Sequence, residues 1–294
     1  MGSTQEPGTD GISVQSIDGS EVFVRSFGGK GPPLVICHAT GFHGAAYAPM
    51  AKQLTDDFAV WAIDVRGHGR SPSPTSGDFS WNLIAQDVTA GIAAFSSEPV
   101  VAFGHSLGGA ALLLAELNQP GLLRAAYLYE PIVFPPGLLV DRADNPMSSR
   151  ARSRRSTFSS RAEAAWRYAQ KPPFARFRTD ALVAYVEEGF DDNDDATVSL
   201  ACTPEDEAKA FECEDKVTTD LIQGLTLPAL IASGHPEAGP GPSPGRLAPS
   251  IAEAMPNAAL LAYPQLGHLG PFESPDFVGE EVRDYLVDHC LGPR

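Results

Sequence analysis

Ser106 stands in Gly104-His105-Ser106-Leu107-Gly108, a spacing that can turn a hydroxyl into a nucleophile. The apolar run at 100–103 precedes it as a strand pattern, and Leu107 to Asn118 follows as a helical one. A serine forced onto so sharp a strand-to-helix turn lifts its hydroxyl clear of the sheet. Glycines two residues before and after are required there, because larger side chains would clash where strand and helix pass closely. The helix N-terminus also aims backbone N–H groups at developing negative charge. GxSxG arises by chance in a chain with 28 Gly, but seldom between so clear a strand and so clear a helix.

Serine needs a base, and the chain has 7 His. His268, in Leu266-Gly267-His268-Leu269-Gly270-Pro271, follows the last strand pattern and precedes the last helix. That places it on a loop at the sheet edge that also carries Ser106. His38 and His68 read as loop-bracing groups, and His105 as a side chain leaving the turn in another direction. His43, His235 and His289 read as loop or surface hydrogen-bonding groups, and Asp64 as a brace for the 66–71 loop. Gly67-His68-Gly69 lacks the third glycine of a dinucleotide fingerprint, and no histidine pair has metal-binding spacing. The expectation is no cofactor and no metal.

The elements that position these groups alternate between short apolar runs and helical patterns, which implies βαβ units and an α/β fold with a mostly parallel sheet. Strands are expected at 13–17, 20–27, 34–38, 58–64, 99–104, 125–129, 227–232 and 259–263. Helices are expected after a Ser80 cap, over 107–118, near 247–255, and from Ser274-Pro275 onward. Between 135 and 225 there is no strand pattern, only helices around 160–170 and 178–189. The Arg150–Arg161 stretch and the acidic run at 191–195 read as solvated surface.

With 21 basic and 37 acidic residues the net charge is −16, which disfavours nucleic acid and anionic membrane surfaces. Residues 1–11 show no leader pattern, and the apolar 100–117 stretch is interrupted by Gly104, His105, Ser106, Gly108 and Gly109. The 4 Cys form no CxxC pair and read as reduced thiols, so a cytoplasmic protein is expected. The sequence does not indicate an oligomeric state.

The chain resembles the α/β-hydrolase-fold serine hydrolases. The resemblance is carried by His38-Ala39-Thr40-Gly41-Phe42, by Asp64-Val65-Arg66-Gly67-His68-Gly69-Arg70-Ser71, by the Ser106 motif and by Gly267-His268. It implies a helical cap at 135–225, inserted between the sixth and seventh strands of a core made of 1–134 and 226–294. It also implies an oxyanion hole built from the backbone N–H of Leu107 and of a residue after His38. Phe42 is assigned, with Thr40 as the alternative, because two extra residues precede Gly41-Phe42 here. The triad acid is Glu130, at a strand end before Pro131, or Glu237, on a Pro/Gly-rich loop after the 227–232 strand. The better-fixed Glu130 is preferred. Trp166, Tyr168, Phe174, Phe177 and Phe190 read as cap packing.

The resemblance implies cleavage of a carboxylic ester or lactone through an acyl-enzyme. C–C bond hydrolysis and a catalytically weak ligand receptor are the alternatives. The acidic surface favours a neutral small-molecule substrate.

Overall fold

Strand polarity decides which residues of an α/β protein can meet. The computed structural model describes residues 11–138, 145–236 and 243–290. Two antiparallel strands, β1 (Gly11–Gln15) and β2 (Glu21–Gly28), come first. β3 (Pro33–Cys37) leads through a 3-10 turn, Gly44–Tyr47, into α1 (Ala48–Ala51), and β4 (Ala59–Asp64) follows. Next are α2 (Trp81–Ala93), β5 (Val100–His105), α3 (Leu107–Asn118) and β6 (Leu123–Tyr129).

The segment after β6 holds α4 (Pro146–Arg152), β7 (Thr157–Phe158), α5 (Arg161–Tyr168), α6 (Thr179–Glu188), β8 (Phe190–Asp192), β9 (Val198–Leu200) and α7 (Pro204–Glu212). The chain then returns through β10 (Ala229–Gly234), α8 (Pro244–Ala254), β11 (Ala258–Tyr263), α9 (Gly270–Glu273) and α10 (Pro275–Cys290).

The main sheet has eight strands in the order β1-β2-β4-β3-β5-β6-β10-β11. From β4 through β11 every neighbouring pair is parallel. The carboxyl ends of β3, β5, β6, β10 and β11 therefore share one edge. Both faces of these strands are covered, as parallel sheets require. Leu34, Ile36, Phe103 and Tyr127 enter one core with α1 and α10, and Val35, Cys37, Ala102 and Leu128 enter the other with α2, α3 and α8.

Two readings of the sequence are corrected in the segment between β6 and β10. It is not free of strands: β7, β9 and β8 form a three-stranded antiparallel sheet, in strands of two or three residues that are too short to show a period. Nor is its arginine run simply solvated. Arg152 pairs with Glu205 and Glu212, Arg155 with Glu163, and Arg161 with Asp192, while Arg154 points inward to Glu207. Ser80 occupies the N-cap of α2 without a side-chain bond; Asp215 instead accepts from Trp81 N at 2.9 Å and Asn82 N at 2.8 Å.

Four imidazoles, His38, His43, His68 and His105, are buried at this sheet edge. Burial drives His38 down to about 3 and lowers the other three from the usual 6.5. In each case the folded value lies below the unfolded one. The unfolded chain therefore binds more protons, and stability is lost as pH falls from 6.5 toward about 3. Between its folded and unfolded values a histidine contributes a slope of at most ~1.4 kcal/mol per pH unit. Urea unfolding at pH 7, 6 and 5 should show midpoints that fall as pH falls, and His68→Asn should make that dependence shallower. Equal midpoints at pH 7 and 5 would contradict neutral burial.

Candidate active site

Ser106 sits between the last residue of β5 and the first of α3 with φ 56°, ψ −119°. This left-handed backbone is strained for a non-glycine residue. Three glycines make room for the turn. A Cβ on Gly108 would lie 2.2 Å from the Cys37 carbonyl oxygen, one on Gly104 2.6 Å from Gly109 Cα, and one on Gly109 2.8 Å from the Pro131 ring. The glycine two residues after the serine thus lets the helix pass the end of β3 rather than its own strand.

Glu130 is the second non-glycine residue at this edge with positive φ, 45°. Its N–H donates to Ala232 O of β10 at 2.8 Å, and its Oε1 accepts from Gly234 N at 2.7 Å. Its carboxylate is 1% exposed and its Oε2 stands 2.6 Å from His268 Nδ1. His268 Nε2 stands 3.2 Å from Ser106 Oγ. With Nδ1 donating its hydrogen to the carboxylate, Nε2 presents a lone pair to the hydroxyl. Glu237, the other candidate acid, lies outside the described residues.

The histidine loop is pinned at three consecutive carbonyls. Leu266 O accepts from His235 N at 2.8 Å, Gly267 O from the Tyr129 hydroxyl at 2.8 Å, and His268 O from His105 Nε2 at 2.8 Å. His105 does leave the turn sideways, but toward this loop, and its Nδ1 accepts from the Tyr47 hydroxyl at 2.7 Å. The Tyr47 oxygen in turn accepts from Ala39 N at 3.2 Å. His38 accepts from Val65 N at its Nε2 and donates from Nδ1 to Ala39 O at 2.8 Å. Asp64 braces its loop through Gly44 N at 2.6 Å and Arg70 N at 2.9 Å.

Leu107 and Thr40 each carry a backbone N–H without an acceptor among the described residues. Leu107 N opens α3, where a helix leaves its first donors unpaired. Thr40 N lies on the loop after His38, whereas the N–H of Phe42, the residue assigned from the sequence, is engaged within that loop. Phe42 N already donates to Ala39 O at 3.1 Å, closing a turn over Ala39–Phe42. Gly41 has φ +77° and Thr40 has no positive φ, which together make a type II turn with Thr40 at its second position. Phe42 contributes its ring instead, stacked 4.7 Å from Phe272 and near Phe174, Phe177 and Tyr185. Of the aromatics expected to pack the cap, Phe174 and Phe177 therefore meet the core at the site, Tyr168 stacks on Phe174 at 4.5 Å, and Trp166 is exposed.

Among the described residues no cluster of three His, Cys, Asp or Glu could hold a metal ion, and no helix is long and apolar enough to cross a membrane.

Comparison with known proteins agrees with this architecture. The 2-(acetamidomethylene)succinate hydrolase of Mesorhizobium japonicum is 24% identical over 265 residues, 88% of this chain and 89% of that protein. The crystal structure of an E-2-(acetamidomethylene)succinate hydrolase superposes with a TM-score of 0.77 at 22% identity, covering 94% of this chain and 99% of the other. A malate-bound thermophilic esterase from Thermogutta terrifontis superposes at 0.72 with 20% identity, covering 95% and 99%. The profile of the alpha/beta hydrolase family matches residues 34–281, and the chain belongs to that family.

Proposed function

We propose that this protein is a serine hydrolase that cleaves a carboxylic ester or lactone through an acyl-enzyme. The observation that carries this reading is His268, which bridges Ser106 and Glu130 at 3.2 and 2.6 Å. Ser106 Oγ attacks the carbonyl carbon as its proton passes to His268 Nε2. Glu130 holds the Nδ1–H and stabilises the imidazolium that forms. Leu107 N–H and Thr40 N–H donate to the developing oxyanion. The imidazolium then protonates the leaving alkoxide, and a water activated by His268 releases the acid and restores Ser106.

In this reading residues 135–225 form a cap over a core made of 1–134 and 226–294, and the aromatic rings around Phe42 wall the acyl site. The substrate is a neutral small molecule. Arg154, the guanidinium that touches the oxyanion turn, is matched by Glu207, so the pair offers an anion no net positive charge. A reducing, cytoplasmic location suits the four cysteines, which are thiols.

Short aryl esters and a fluorophosphonate probe test the assignment. Wild type should turn over the esters and be labelled, and Ser106→Ala should lose both. Glu130→Gln should lower kcat by roughly 10³–10⁴-fold. Absence of both labelling and turnover in the wild type would dismiss the hydrolase reading.

The oxyanion donor can be tested separately. The second position of a type II turn accepts proline, so Thr40→Pro deletes the N–H while keeping the turn. It should cost ~100–1000-fold in kcat with little change in KM. Wild-type kcat in that variant would return the role to another donor.

A further inference from the structure

The turn that carries Thr40 has few local restraints of its own. Gly41 lacks a side chain, so nothing on that residue sets the orientation of its carbonyl. The restraint comes from the segment between β6 and β10. Tyr185 of α6 donates its phenolic hydrogen to Gly41 O at 3.3 Å, and its ring centre lies 5.2 Å from that of Phe42. The Tyr185 oxygen accepts from Arg154 Nη2 at 2.9 Å. On its other branch the Arg154 guanidinium is ion-paired with Glu207 of α7. That pair rests directly on the turn: a Cβ on Gly41 would meet Glu207 Oε1 at 2.7 Å and Arg154 Nη1 at 3.3 Å.

These contacts form one chain of donors and acceptors, from Glu207 through Arg154 and Tyr185 to the Gly41 carbonyl. An arginine has no acceptor, so the phenol's single hydrogen is free for the carbonyl. A charged donor on the phenolic oxygen polarises its O–H and strengthens the bond it makes. Tyr185 is only 2% exposed, so water does not compete for that hydrogen.

We propose that Arg154 and Tyr185 are positioning residues for the oxyanion hole. They hold the Ala39–Phe42 turn in the form that presents Thr40 N–H, so the hole is complete only while the segment carrying them is seated on the sheet edge. This inference rests on the serine-hydrolase reading. It adds that docking of that segment and stabilisation of the transition state are one event.

The test is steady-state kinetics on a short aryl ester, together with the affinity for an aryl boronic acid. The boronate forms a tetrahedral adduct with serine and so reports on the hole. Tyr185→Phe removes only the hydroxyl and should fold, melting somewhat below the wild type because Arg154 and Gly41 O lose a buried partner. Its kcat should fall roughly tenfold or more, as small misplacements at a reacting centre do. KM should stay nearly constant, and boronate affinity should fall in step with kcat. Arg154→Met should behave alike, and Arg154→Lys, which keeps a charged donor, should recover part of the loss.

Wild-type kcat and boronate affinity in Tyr185→Phe would overturn the inference while leaving the hydrolase reading intact. So would a loss confined to KM. A wild type that neither turns over the ester nor binds the boronate would remove both.

Discussion

Neighbouring strands β5 and β6 are each followed by a residue forced to positive φ, Ser106 at 56° and Glu130 at 45°. Each costs on the order of 1 kcal/mol or more, and each persists because the surrounding backbone over-determines it. Ser106 N donates to Tyr129 O at 3.1 Å, and Ser106 O accepts from the amides of Gly109, Ala110 and Ile132. Glu130 N is held by β10 through Ala232 O. Had either residue continued its strand, its side chain would have entered one of the two apolar cores. The reversal of φ sends both off the sheet edge, where a histidine on the next loop can reach them together.

How much of this could be read from the sequence depended on distance along the chain. The Ser106 turn was legible because strand, glycines and helix lie within a single stretch, and α3 spans the residues its pattern indicates. Glu130 could be singled out because a strand end and Pro131 fix it locally, and His268 because the last strand and helix frame it. Thr40 was harder. The choice between it and Phe42 turns on one hydrogen bond, Phe42 N to Ala39 O, and on the φ of Gly41, neither of which a residue list displays. Arg154 was misread with its neighbours because its partners, Tyr185 and Glu207, are 31 and 53 residues away. The same holds for the Asp215 cap of α2, which is 134 residues from Trp81.

Charge is arranged differently inside the site and outside it. The −16 of the whole chain is carried largely on the surface, where exposed pairs such as Arg155–Glu163 contribute little. At the sheet edge the buried charges are matched. Arg66 bonds Asp87 at 2.6 Å and Asp18 at 2.9 Å, and Asp64 is satisfied by backbone amides. Glu130, like Asp64, is held without a cationic side chain. Among the described residues no Arg or Lys pairs with it, so its buried carboxylate faces only the Gly234 amide and His268. In the proposed reaction, an imidazolium formed at His268 would stand directly against this carboxylate.

In the proposed reaction, proton transfer and oxyanion binding sit on separate loops, and one chain of neutral groups links those loops beneath the site. Ala39 N–H donates to Tyr47 Oη, Tyr47 O–H donates to His105 Nδ1, and His105 Nε2–H donates to the His268 carbonyl. Every donor in this sequence has one acceptor, and the arrangement works only with His105 neutral. A protonated His105 would carry a hydrogen on Nδ1 and meet the Tyr47 hydrogen head-on. Burial, together with the adjacent His268, holds His105 well below the usual imidazole range, so the link keeps its single sense. The Ala39–Phe42 turn is thus tied to the histidine loop through the core and to Arg154 through the segment between β6 and β10. Its geometry answers to both, and displacing either side would move the turn relative to Ser106.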